Sequence, residues 1–202
     1  MAPEKNITAP LPALPGATLA IALLAGIVFC LPALNGLLIY DRALILKGEV
    51  WRAWTGHVVH YGSSHLLWNL TIFLAAGCWL ERVRPRSTRW FYLVCPPVIA
   101  AALLLAEPTL EHYAGLSGVA TGVLVFLACV QLNESNTEPT WFWVAIFGLV
   151  AVKIALETVT RAPFLVQDIS GFRVVPLAHV IGAACGVIAW AVTRTPFNAP
   201  PP

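Results

Sequence analysis

Long stretches without a formal charge constrain this chain more than any other feature. No Lys, Arg, Asp or Glu occurs in 6–40, 53–80, 90–106, 112–133 or 174–193. A helix that crosses a bilayer needs roughly 20 mainly apolar residues, with about 17–25 tolerated. The pattern therefore predicts five spans, at about 17–38, 63–80, 90–106, 115–132 and 174–193. A sixth, at 140–157, is apolar apart from Lys153 and Glu157 near its end. Six spans in 202 residues leave almost no chain for a soluble domain. The expected fold is an all-α polytopic membrane protein, a single six-helix bundle over 17–194. A disordered tail over 1–16 and a Pro-rich tail over 195–202 flank it.

Composition agrees where it bears on the argument. Only 11% of residues are charged, against roughly a quarter in soluble domains. The net charge of +2 gives no reason to expect a nucleic-acid partner. The first span is longer than a signal-peptide core and reads as a retained helix. Cys30, Cys78, Cys95, Cys129 and Cys185 all fall in apolar spans with no CxxC spacing, so they read as small buried hydrophobes.

Orientation rests on one loop. Arg82, Arg84, Arg86 and Arg89 cluster between the second and third spans, which places that loop in the cytoplasm by the positive-inside rule. Alternation puts both termini inside and the segments 39–62, 107–114 and 158–173 outside. Trp51, Trp54 and Tyr61, with Arg42, Lys47 and Arg52, suggest that the 39–62 segment lies along the outer interface.

With this orientation, polar residues on three spans reach one depth. Ser117 opens the fourth span, His179 lies early in the sixth, and His65 and Asn69 occupy the first turns of the second. His65 and Asn69 are four apart and share a helix face. Polar and ionisable groups inside a membrane are costly and mark functional sites. These residue types suit acyl transfer: a serine hydroxyl becomes a nucleophile beside a base such as a neutral imidazole. The tetrahedral intermediate needs donors where its oxyanion develops. The Asn69 amide, a His65 N–H and the Ser117 backbone N–H would supply them. No acidic residue lies near His179 in sequence, so a Ser–His dyad is expected rather than a triad. Gly115 and Gly118 let backbone approach the serine, while Gly182 and Gly186 repeat GxxxG spacing on the His179 helix, a close-contact face.

Each residue also has a plainer reading. An intramembrane Ser is usually a packing residue, and an intramembrane His also serves proton relay. His57, His60 and His65 match no closed zinc pattern; His60 reads as a supporting hydrogen-bond residue and His112 as a loop residue. Lys153 and Glu157 read first as an i,i+4 ion pair snorkelling to the outer interface, with a substrate-side role as the alternative.

Taken together, these residues resemble the rhomboid family of intramembrane serine proteases. The resemblance rests on GLSG at 115–118, AHVIG at 178–182 with Gly186, HLLWN at 65–69, WRAWTGHVVH at 51–60, and Glu81-Arg82. These pieces lie in family order over about 45–190. The resemblance implies Ser117 as nucleophile, His179 as base, and His65 and Asn69 on the oxyanion side. His60, Trp51 and Arg52 would organise the first outer segment, and Glu81 and Arg82 the inner end of the second helix. It implies a transmembrane protein substrate in a lipid bilayer, no metal and no cofactor. Small six-helix chains, and the VKIALE stretch at 152–157, resemble the bacterial rhombosortase subgroup, thought to process C-terminal sorting tails. That implies a bacterial inner-membrane location. One departure is Thr121, which stands four residues after the serine, where family members commonly carry an aromatic or His that stacks on the catalytic imidazole. Two non-protease readings are an inactive rhomboid-like protein that binds membrane clients and, more remotely, a small transporter. No charge at mid-membrane and no inverted repeat support the latter.

Overall fold

A computed structural model describes residues 14–134, 138–160, 162 and 174–194. Residues 1–13 of the predicted 1–16 tail, the 195–202 tail and most of the 158–173 segment lie outside the described residues, and Gly16 already belongs to the first helix. Six principal helices follow the six apolar spans: α1 (Gly16–Cys30), α2 (Ser63–Val83), α3 (Pro85–Ala106), α4 (Ser117–Glu134), α5 (Thr140–Thr160) and α6 (Pro176–Thr193). Helices α2, α3, α5 and α6 are each long and apolar enough to cross a membrane. The protein is an all-α, multi-pass membrane bundle.

The first span differs from its prediction as a continuous helix over 17–38. Helix α1 stops at Cys30, and the chain turns through 101° into a short helical stretch, Pro32–Leu38. Pro32 is the cause: it offers no N–H to the helix and disfavours helical geometry at Leu31, which adopts φ −121° and ψ 73°. The apolar run is long enough for one span but is spent on two directions.

At its N-terminal end, α1 is capped from another helix. Pro15 supplies no side-chain cap, yet the first amides of a helix lack intrahelical partners. Glu81 on α2 supplies them: Oε1 accepts from the Ala17 amide at 3.1 Å, and Oε2 from the Thr18 amide and hydroxyl, both at 2.8 Å. A carboxylate there also complements the positive end of the helix dipole. Arg89 donates to Oε1 at 3.2 Å, and the Tyr92 hydroxyl meets Thr18 Oγ1 at 2.8 Å.

Helix α4 is the central element. It is apolar on every side, as a helix enclosed by neighbours must be, with Val119, Val123, Phe126 and Val130 among its buried residues. Its 18 residues rise only about 27 Å, and a buried loop leads into its N-terminal end. Tyr113, Ala114 and Leu116 in that loop are each at most 5% exposed.

The 39–62 segment is folded and partly buried, with Ile45, Arg52 and residues 56–60 inside. It contains the short helices Arg42–Leu46 and Arg52–Thr55, a turn of 3₁₀ helix at Gly56–Val58, and a two-residue strand, Tyr40–Asp41, paired with His112–Tyr113. Trp51, Trp54 and Tyr61 are well exposed, as an interfacial belt requires. Arg52 corrects the expectation of headgroup cations. It is 3% exposed and donates to the Gly36 and Ile39 carbonyls at 3.0 and 2.8 Å and to Glu49 at 2.7 Å. Its charge ties the bent end of the first span to the segment that follows. Trp54 makes a similar tie to α3. Its indole N–H donates to the Leu93 carbonyl at 2.9 Å, which Pro97 leaves without its helical partner.

Candidate active site

Two pairs of glycines set the distance between the helices that carry Ser117 and His179. A Cβ at Gly182 would run into the Gly118 carbonyl, and one at Gly186 into the Gly122 carbonyl. In return, a Cβ at Gly118 would lie 2.9 Å from the Ala178 oxygen, and one at Gly122 2.5 Å from the Gly182 oxygen. Backbone therefore meets backbone along α4 and α6. Gly122 was missed in the sequence, although Gly118 and Gly122 repeat the GxxxG spacing seen at Gly182 and Gly186.

Ser117 is the first residue of α4 and His179 the fourth of α6. Both line a cavity of about 330 Å³, together with His65 and Asn69 of α2, Thr121 of α4, and Lys153 and Glu157 of α5. The structure thus brings together every candidate catalytic and oxyanion residue. Lys153 and Glu157 join them at the same wall.

The loop before Ser117 is held by its neighbours, because buried backbone groups need partners. The Gly115 amide donates to the Gly56 carbonyl at 3.2 Å, and the Leu116 amide donates to His60 Nε2 at 3.4 Å. The other His60 nitrogen, Nδ1, donates to the Val58 carbonyl at 3.1 Å. That pair of contacts assigns the His60 tautomer. Burial holds the His60 imidazole down at about 3 and that of His57 at about 4, so both rings stay neutral. Gly115 has φ +121°, and a Cβ there would lie 2.6 Å from His65 Nε2. Only glycine suits both the backbone and the space.

The buried Tyr113 phenol donates to the Gly115 carbonyl at 3.2 Å, and burial keeps it protonated. Among the described residues no hydrogen bond joins Ser117 to His179. Catalytic hydrogen bonds often tighten only when substrate is bound. Tyr113 was not anticipated; only its place two residues before Gly115 pointed to it. The Asn69 amide nitrogen is buried and has no hydrogen-bond partner among the described residues. A buried donor at a cavity wall is costly unless something bonds it. The His65 ring makes an edge contact with the His60 ring, 4.9 Å between centroids.

Of three further residues at the cavity wall, Lys153 and Glu157 depart from their sequence reading. Thr121 neither stacks on nor bonds the imidazole; its hydroxyl donates to the Ser117 carbonyl one turn back, at 2.8 Å. Lys153 and Glu157 do pair, with Nζ at 2.8 Å from both carboxylate oxygens. The pair does not snorkel outward as expected. Glu157 is 3% exposed, and its Oε2 lies 2.9 Å from His179 Nδ1. The carboxylate missing from the sequence neighbourhood of His179 comes from α5.

A sequence model of the rhomboid domain matches residues 47–195, well over half the chain and every residue of the cavity named above. The chain belongs to the rhomboid family. This is a family of intramembrane proteases acting on membrane proteins within the bilayer, and the multi-pass rhomboid bundle fits that setting. No curated protein matches the sequence significantly.

Proposed function

We propose that this rhomboid is a serine endopeptidase that cleaves membrane-anchored proteins in the outer half of a bacterial inner membrane. One observation carries the reading: Ser117, His179 and the buried Asn69 amide, which has no partner among the described residues, share one cavity in a rhomboid chain. Ser117 Oγ attacks the substrate carbonyl carbon while His179 Nε2 takes the hydroxyl proton. The oxyanion receives the Asn69 amide, a His65 N–H and the Ser117 backbone amide, which sits at a helix N-terminus. His179 returns the proton to the leaving nitrogen, and the acyl-enzyme is then hydrolysed by a water that His179 deprotonates. His60, Gly115, Gly118, Gly182 and Gly186 act by position, holding loop and helices in place.

Substrates of the rhombosortase type, with a C-terminal sorting tail, fit the small six-helix form and the VKIALE stretch. With the Arg82–Arg89 loop cytoplasmic, both termini lie inside and the cavity opens toward the outer leaflet. The test is Ser117→Ala with a fluorophosphonate probe. The parent should label at Ser117 and cleave a transmembrane reporter substrate, whereas the variant should fold and do neither. Retained cleavage by Ser117→Ala refutes the proposal. Client binding without any probe labelling of the parent supports the inactive, client-binding alternative.

A further inference from the structure

Helix α5 faces outward over most of its surface, with Trp141, Val144, Leu149, Val152 and Val159 well exposed. Among its described residues only Trp143 and Glu157 are buried. On a membrane helix aliphatic side chains are left to lipid, and an ionisable group turned into the bundle is paired there and marks a functional site. Burying a carboxylate costs several kcal/mol unless it is paired and hydrogen-bonded, and an i,i+4 pair alone has no need of the interior. Glu157 is turned inward onto His179 Nδ1, at 2.9 Å.

We propose that Glu157 is the positioning residue of the catalytic histidine, so that the centre works as a Ser117–His179–Glu157 triad rather than a dyad. The inference rests on the reading of Ser117 as nucleophile and His179 as base. A carboxylate can only accept, so Nδ1 carries the hydrogen and the Nε2 lone pair is left for the Ser117 proton. Glu157 also offsets the positive charge that His179 gains in the transition state. The groups around His179 are Glu157 and Lys153 from α5, His65 from α2 and Ser117 from α4. Lys153 Nζ lies 3.4 Å from both ring nitrogens. This cation opposes the imidazolium, and the Glu157 carboxylate, in contact with both groups, is what makes protonation tolerable. The arrangement accounts for Thr121: a ring clamped through Nδ1 does not need a stacking partner four residues after the serine. It also binds catalytic competence to α5, since an α5 that moves outward removes the carboxylate from the base.

The decisive experiment measures kcat, KM and the pH–rate profile of Glu157→Gln in detergent, with Ser117→Ala as control. The expected result is a kcat loss of at least about 100-fold, as when the triad carboxylate of a serine protease is made an amide, with KM within about threefold. The acid limb should move to lower pH, because His179 has lost its counter-charge. A purely structural role would lower active protein without moving that limb, and such a result overturns the proposal. So does a kcat within about threefold of the parent. Should Glu157→Gln fail to fold because Lys153 is left unpaired, Lys153→Met/Glu157→Gln removes both charges and is judged by the same kcat criterion. Activity surviving in Ser117→Ala would bring down the protease reading itself. Loss in Ser117→Ala with full activity in Glu157→Gln brings down only the triad.

Discussion

Among the described residues, two buried glutamates lie on membrane helices, Glu81 near the C-terminal end of α2 and Glu157 near the C-terminal end of α5, and their surroundings differ. Glu81 receives two backbone amides, a threonine hydroxyl and an arginine, all from the protein, and lines no part of the site cavity. Glu157 is shared between a lysine and an imidazole at the wall of a cavity of about 330 Å³. The same side chain, about equally buried, thus serves as a closed knot in one place and an open one in the other. A closed knot stabilises; an open one keeps a neighbouring group ready to change its protonation. The comparison predicts that stability and activity separate between the two ends of the bundle.

The largest effect on stability is expected at the closed end. Glu81→Ala orphans the Ala17 and Thr18 amides and leaves the Thr18 hydroxyl only its Tyr92 partner. At about 1–3 kcal/mol for each buried unsatisfied group, offset by rehydration at the inner surface, the loss is about 2–4 kcal/mol. Thermal unfolding in detergent should show it, with kcat of the surviving folded fraction close to the parent. Glu157→Gln should do the reverse, holding Tm within a few degrees while turnover collapses. Equal losses of Tm in the two variants would end the distinction.

Next in size is the contact that sets the spacing at the open end. Gly182→Ala drives a methyl into the Gly118 carbonyl, and overpacking of this kind costs about 1–3 kcal/mol. Its effect on kcat should exceed its effect on Tm, because the helices it separates carry Ser117 and His179. Gly26→Ala, with open space around its Cβ position, is the matched control and should change neither.

These contrasts also show what the sequence could reveal. Charge-free length was sufficient for five of the helices, and a nearly uniform apolar run for α5, because lipid forbids the alternatives. Ser117, His179, His65 and Asn69 were expected at one depth because each lies early in its own apolar span, and all four line one cavity. Glu157 escaped for a physical reason. Its nearest charged neighbour in sequence is Lys153, and that pairing gave it a sufficient surface explanation. Its contact with His179 crosses between helices, where periodicity carries no information. Arg52 was misjudged in the same way: a cation among tryptophans looks interfacial until the carbonyls freed by the turn at Pro32 are in view. The turn itself was marked by Pro32, but apolar length outweighed it.

A smaller effect comes from the histidines that support the open end from the outer segment. His57 and His60 are neutral in the fold, held at about 4 and about 3, against about 6.5 when unfolded. Below about pH 6.5 the unfolded chain therefore binds protons that the folded chain refuses. Stability is complete at neutral pH, falls through the window from about 6.5 to about 4 for His57 and to about 3 for His60, and does not depend on these groups above it. By pH 5 the loss should be about 1–2 kcal/mol for each ring, read as a drop in Tm between pH 7 and pH 5. His60→Gln should flatten that slope, even though it weakens the loop at Leu116. A Tm unchanged from pH 7 to pH 5 contradicts the burial argument.

The smallest effect is predicted at Thr121, and it bears directly on whether the open knot is complete. Its hydroxyl donates to the Ser117 carbonyl within α4, a local bond that helices carry at little gain. If Glu157 alone orients His179, Thr121→Val keeps the shape, removes the hydroxyl and lowers kcat by less than about threefold, under about 0.7 kcal/mol. Thr121→Phe tests the converse by restoring a ring where rhomboids commonly stack one on the imidazole. In the parent that ring is redundant and intrudes on the cavity, so KM should rise without a gain in kcat. In Glu157→Gln, where the Nδ1 anchor is gone, the same phenylalanine should recover part of the lost kcat. Rescue of this kind, seen only without the carboxylate, would mean that two different devices orient the catalytic histidine in this family, either a ring above the imidazole or a carboxylate at its edge.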